Sequence, residues 1–75
     1  MPFIHLYSRS GRDLETKKKI AQAIVKAASE AMGAPENVFD FAYQDVEVDD
    51  WAKEVDQGVL EPNRDIVLIE KGKLI

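Results

Sequence analysis

Residues 13–35, DLETKKKIAQAIVKAASEAMGAP, hold the one long periodic pattern in the chain. Ile20, Ile24, Ala27, Ala28 and Ala31 recur at spacings of three and four, the apolar stripe of an amphipathic helix. Lys18, Lys19, Lys26 and Glu30 fill the remaining surface. Asp13 is placed to cap this helix and Glu15 to sit in its first turn, where negative charge suits the helix dipole. Gly33 supplies a C-terminal stop, and Pro35 prevents the helix from resuming.

Both flanks of the helix read as strands. Before it, Phe3–Tyr7 (FIHLY) is short, apolar and aromatic. Phe3, His5 and Tyr7 share one face of that strand; Pro2, Ile4 and Leu6 share the other. Residues Ser8–Gly11 (SRSG) read as a loop. After the helix, Val38–Val46 (VFDFAYQDV) alternates again, with Phe39, Phe41 and Tyr43 on one face. A strand, a helix and a second strand joined by a crossover of roughly thirty residues predict two parallel strands. The fold class expected is therefore α/β, built on one β-α-β unit. The remainder reads less regularly. Asp49 or Asp50 is a candidate cap for a short helix carrying Trp51, Ala52 and Val55, interrupted at Gly58. Ile66–Ile69 (IVLI) suits a short strand or a buried helical turn, and Gly72 marks a last turn.

With 75 residues the chain is expected to form a single domain over 1–75. A domain of this size buries only about 60% of its unfolded surface and needs help to be stable. Cysteine is absent and His5 is the only histidine, so neither disulfides nor a thiolate or histidine metal site supplies that help. Self-association remains. Two β-α-β units pairing edge to edge would give a four-stranded sheet with helices on one face, covering strand edges that are otherwise open. A net charge of −4 argues against nucleic acid, whose binding rests on a basic surface. No apolar run is long enough to span a membrane, and the basic-then-apolar layout of a signal peptide is missing, which predicts a cytoplasmic protein.

Chemistry concentrates at the N-terminus. Methionine aminopeptidases favour small second residues, and here the second residue is Pro2. Once Met1 is removed, Pro2 presents a secondary amine fixed by its ring and by the strand that follows. Apolar surroundings and a nearby cation both disfavour the protonated amine and so make it a useful base near neutral pH. Phe3, Ile4, Trp51 and the aromatic second strand offer the first, Arg9 or Arg12 the second.

Several features then coincide: proline directly after the initiator methionine, Gly11-Arg12 closing the first loop, Ala34-Pro35 ending the helix, and Trp51 after the second strand. In these the chain resembles the tautomerase superfamily, specifically the small 4-oxalocrotonate tautomerase type, in register over about fifty residues. Its tail from Trp51 onward (WAKEVDQGVLEP) is most similar to the dimeric PptA-like tautomerases. The resemblance implies a tautomerase/MIF-like fold and cofactor-independent isomerase activity on a small carboxylate such as a 2-oxo or enol acid. It further implies that Pro2 is the general base, that Arg12 grips the substrate carboxylate, and that Trp51 is an apolar wall beside the amine. A homodimer is the expected assembly, with a hexamer as the other one the family offers. One position departs from the family: Asp40 stands where many members carry a second arginine. Arg9, Arg64 or the Tyr43 hydroxyl would have to replace that donor, or Asp40 would position a water, as a hydratase or dehalogenase requires.

Each of these residues also has a plain reading. Pro2 suits an ordinary strand start, Arg12 a solvated loop cation, and Trp51 a core or interface position. His5 lacks a catalytic partner and reads as a satisfied, half-buried histidine. Lys17, Lys18 and Lys19 read as a solvated helix face. A non-enzymatic oligomeric binding protein is the reading that follows if Met1 is retained.

Overall fold

A computed structural model describes all 75 residues. They divide into two compact units, Met1–Asp45 and Val46–Ile75.

The first unit contains strand β1 (Phe3–Arg9), helix α1 (Leu14–Met32) and strand β2 (Asp40–Val46), the last reaching one residue past its boundary. The two strands form one sheet. The Asp40 N–H donates to the Pro2 carbonyl at 3.0 Å, and farther along the same strands His5 Nε2 meets Gln44 Oε1 at 2.7 Å. Position rises together on both strands, so they run parallel, as the crossover requires.

Local chemistry sets the ends of α1. Asp13 is its N-cap: the carboxylate accepts from the Thr16 N–H at 2.8 Å, with Glu15 in the first turn. At the other end Gly33 adopts φ 69°, and the Gly33 and Ala34 N–H groups both donate to the Ser29 carbonyl. Few residues other than glycine accept that backbone conformation cheaply. The half-buried face of the helix comprises Ile20, Ala21, Ile24, Val25, Ala28 and Ser29. Ala27 and Ala31, expected on that face, are exposed. The face is turned towards Val25, whose side chain removes more apolar surface from water than either alanine can.

That Asp13 hydrogen bond, with the backbone around Thr16, holds the carboxyl below its ordinary pKa of 3.8. A carboxylate whose folded pKa is depressed adds stability above its unfolded value and loses it as the pH falls through the folded one. Asp13→Asn keeps a capping oxygen but does not titrate. Chemical denaturation between pH 2 and pH 7 should therefore show a shallower loss of stability below about pH 4 in the variant than in wild type.

Strand β1 runs two residues beyond Tyr7, so Ser8 and Arg9 belong to the strand and the loop begins at Ser10. Strand β2 starts at Asp40 rather than Val38. The three residues Glu36–Val38 instead form a 3₁₀ turn after Pro35, closed by bonds from Val38 to Pro35 and from Phe39 to Glu36. Pro2, Ile4 and Leu6 are half-buried, whereas Phe3 (62% exposed) and His5 face solvent. Lys17 of α1 pairs with Asp45 of β2, and its ammonium lies 5.4 Å from the Tyr43 ring centroid. Lys17 is thus half-buried, and only Lys18 and Lys19 form the solvated face expected of all three. On the open sheet face, His5 stacks on Tyr7 with centroids 4.4 Å apart. Its hydrogen-bond partner is present, as expected, but the residue is exposed rather than half-buried.

The second unit opens with a 3₁₀ turn, Val48–Asp50, and then a helix from Trp51 that widens into π-helical turns over Ala52–Leu60. Neither Asp49 nor Asp50 caps this helix with its side chain. Gly58 does not interrupt it either. The wide turns bond i to i+5, as in Glu61 N–H to the Asp56 carbonyl at 2.9 Å. A Cβ on residue 58 would sit 3.2 Å from the Lys53 carbonyl oxygen, so glycine eases the widened turn. A 3₁₀ turn, Arg64–Ile66, leads to a hairpin of β3 (Ile69–Glu70) and β4 (Lys73–Leu74), antiparallel with Ile69 opposite Leu74. Residues 66–69 are thus neither one strand nor a buried turn: Ile66, Leu68 and Ile69 are all largely exposed. Gly72 does mark the last turn.

Candidate active site

Pro2 lies immediately before β1, half-buried, on the same strand face as Ile4 and Leu6. Its carbonyl is tied to the first N–H of β2. That bond fixes the residue at the start of the sheet and brings the backbone of Asp40 beside it. The Asp40 side chain is exposed. Among the candidate site residues singled out in the sequence, the first unit brings Pro2 and the backbone of Asp40 together.

Arg9 and Arg12 lie at the other end of β1. Arg9 is its exposed last residue, and Arg12 follows in the loop, where its Nη1 donates to Ser8 Oγ at 3.1 Å. A strand advances about 3.3 Å per residue, so Pro2 and Arg9 of one chain are roughly 20 Å apart. No single chain places the Arg9 or Arg12 guanidinium on the Pro2 nitrogen. The Tyr43 hydroxyl, one of the candidate replacement donors, is buried without a hydrogen-bond partner.

Trp51 belongs to the second unit and is half-buried there. It lines a cavity of about 510 Å³ together with Leu60, Val67 and Arg64. Arg64 is oriented by two glutamates: Nη2 donates to Glu61 at 3.1 Å and Nη1 to Glu70 at 2.5 Å. The hydrogen bond to Glu61, foremost, raises its pKa further. Sequence reasoning named Trp51 and Arg64 separately and missed that one cavity joins them. It also missed Lys71 on the same wall, for which the only available signal was its place before Gly72.

No group of three or more His, Cys, Asp or Glu side chains is placed to hold a metal ion, and no helix is long and apolar enough to cross a membrane. A family model described as tautomerase enzyme matches residues 2–57. The chain belongs to the tautomerase family. The match begins on Pro2 and covers β1, α1, β2 and the first part of the π-helical segment, the framework on which the site residues sit. No curated protein and no solved structure matches the chain. Membership carries tautomerase, and hence isomerase, activity on a small molecule, in a family whose members are usually oligomeric.

Proposed function

We propose that this tautomerase-family chain moves a proton within a small 2-oxo or enol carboxylic acid, with Pro2 as general base and no cofactor. The observation that carries the reading is the position of Pro2. It opens the matched region, is half-buried, and is anchored through its carbonyl at the start of the sheet. After removal of Met1, the secondary amine takes the proton from the enol hydroxyl. The resulting enolate accepts it back at carbon, giving the ketone and the free amine. Arg12 holds the carboxylate through its planar fork. β1, roughly 20 Å long, keeps Arg12 away from Pro2 of the same chain, so the reading needs a homodimer, or a hexamer built from such pairs, in which β1 strands pair antiparallel.

The test is the ketonisation of phenylenolpyruvate by protein whose intact mass shows Pro2 at the N-terminus. A rate no faster than buffer alone would overturn the proposal.

A second reading is favoured by one observation: the β2 residue whose backbone adjoins Pro2 is a carboxylate, Asp40, where an arginine would stabilise an enolate. A carboxylate there suits a hydratase or dehalogenase that positions water. On this reading Asp40→Asn loses about 10²-fold or more of its rate on a 3-haloacrylate, the effect expected of a missing general base, while ketonisation is spared. Equal turnover of the haloacrylate by variant and wild type would eliminate it.

A further inference from the structure

We propose that Ser8 is a positioning residue: its hydroxyl holds the Arg12 guanidinium, with its charge uncompensated, on the sheet face that carries Pro2. That role rests on the proposed function, in which Arg12 grips the substrate carboxylate. Ser8 is half-buried on β1, and its Oγ accepts from Arg12 Nη1 at 3.1 Å. Strand alternation puts Ser8 on the face of Pro2, Ile4 and Leu6, and Arg9 on the open face with His5 and Tyr7. Gly11, at φ 126°, supplies a bend that residues with a side chain resist, and Arg12 returns to Ser8 four residues back. Antiparallel pairing of two β1 strands in one sheet sets the two-fold axis perpendicular to that sheet, so both chains keep the same face. Arg12 of one chain and Pro2 of the other then lie on one side.

The kind of partner matters as much as the place. Arg64 is held by two carboxylates, Glu61 and Glu70, which orient its guanidinium and also offset its charge. A hydroxyl orients without offsetting. In a chain with 14 Asp and Glu residues, Arg12 makes no ion pair, and the neighbouring Asp13 carboxylate is engaged on the Thr16 N–H. Four of the five N–H donors of Arg12 remain, among them those of the Nη2–Nε edge, which suits a bidentate carboxylate. An arginine ordered before the substrate arrives has less side-chain freedom left to lose on binding. Ser8 therefore acts on the affinity for the carboxylate, not on proton transfer.

The test is a double-mutant cycle on phenylenolpyruvate ketonisation by the processed protein. Ser8→Ala should lower kcat/KM about three- to tenfold, nearly all of it in KM, because the grip holds the carboxylate in ground state and transition state alike. Ser8→Thr keeps the hydroxyl on a residue that suits a strand and should stay within about twofold of wild type. In an Arg12→Ala background, Ser8→Ala should change nothing further, since the group it positions is gone. Ser8→Asp supplies a partner that cancels the charge, and should cost as much as Arg12→Ala. An equal loss in Ser8→Ala whether or not Arg12 is present, or a loss confined to kcat, overturns the inference. A loss in Arg12→Ala with wild-type KM in Ser8→Ala overturns it and leaves the carboxylate grip standing. Wild-type rates in Arg12→Ala remove both. An activity-independent readout is the heteronuclear NOE of Arg12 Nε, which should fall in Ser8→Ala and not in Ser8→Thr. A guanidinium as mobile in wild type as in Ser8→Ala overturns the inference whatever the substrate.

Discussion

Retaining Met1 on the folded protein should lower the rate of phenylenolpyruvate ketonisation by about 10⁴-fold, and Pro2→Ala by about 10²-fold, relative to the processed wild type. The two changes act on the same nitrogen in different ways. With Met1 in place that nitrogen belongs to a peptide bond, its lone pair is delocalised into the carbonyl, and it has no basicity to offer. The whole contribution of the base is then lost. Pro2→Ala leaves a terminal amine, with an ordinary pKa near 7.7–8.0, so a base persists. What it loses is the ring that fixes the amine's direction as the strand begins, and with it part of the advantage of a positioned proton acceptor. The order therefore discriminates as well as the magnitudes. Rates that are equal in all three proteins would remove Pro2 from the chemistry, and a Met1-retaining protein faster than Pro2→Ala would contradict the role of the free amine. Phenylenolpyruvate also ketonises unaided, so the comparison is made on initial rates above the buffer blank.

The parts of the fold legible in the sequence were those fixed by bonds between near neighbours. Asp13 and Thr16 are three residues apart, Gly33 and Ser29 four, and both ends of α1 follow from them. The parallel pairing of β1 with β2 was legible for a different reason, since a crossover of this length leaves little other topology. Which helix face is buried was less so. The stripe through Ala27 and Ala31 satisfies the period, yet Val25 has more surface to hide, and packing decided in its favour. Past Val46 the signals fail. Bonds from i to i+5 carry no sequence period of their own, and Gly58 reads as a breaker until its neighbour, the Lys53 carbonyl, is seen. The candidate site divides in the same way. Pro2, Arg12 and Trp51 stand out through resemblance to a family, whereas the cavity that joins Trp51 to Arg64 depends on how the chain past Val46 folds.

Mixing two impaired variants should restore activity. If Pro2 and Arg12 that serve one substrate come from different chains, a dimer of Pro2→Ala with Arg12→Ala contains one site with both native residues and one site with neither. Random reassortment of equal amounts makes half the dimers mixed, and half of their sites are intact, so about a quarter of wild-type activity should return. The Pro2→Ala homodimer lacks the positioned base in both sites. Arg12→Ala loses a charge-assisted carboxylate contact of about 1.5–3 kcal/mol, or roughly 10–100-fold in kcat/KM. Assayed well below KM, both parents then fall beneath the mixed value. The reason to expect recovery is geometric: β1 separates its own Pro2 from Arg9 and Arg12 by roughly 20 Å, and antiparallel pairing of two β1 strands brings opposite ends together. Unfolding and refolding the mixture supplies the exchange, and each variant refolded alone is the control. Activity equal to the mean of the two controls would mean that each site draws on one chain only. The length of β1 would then have to be bridged by another cation near Pro2, and Arg12 would lose its role.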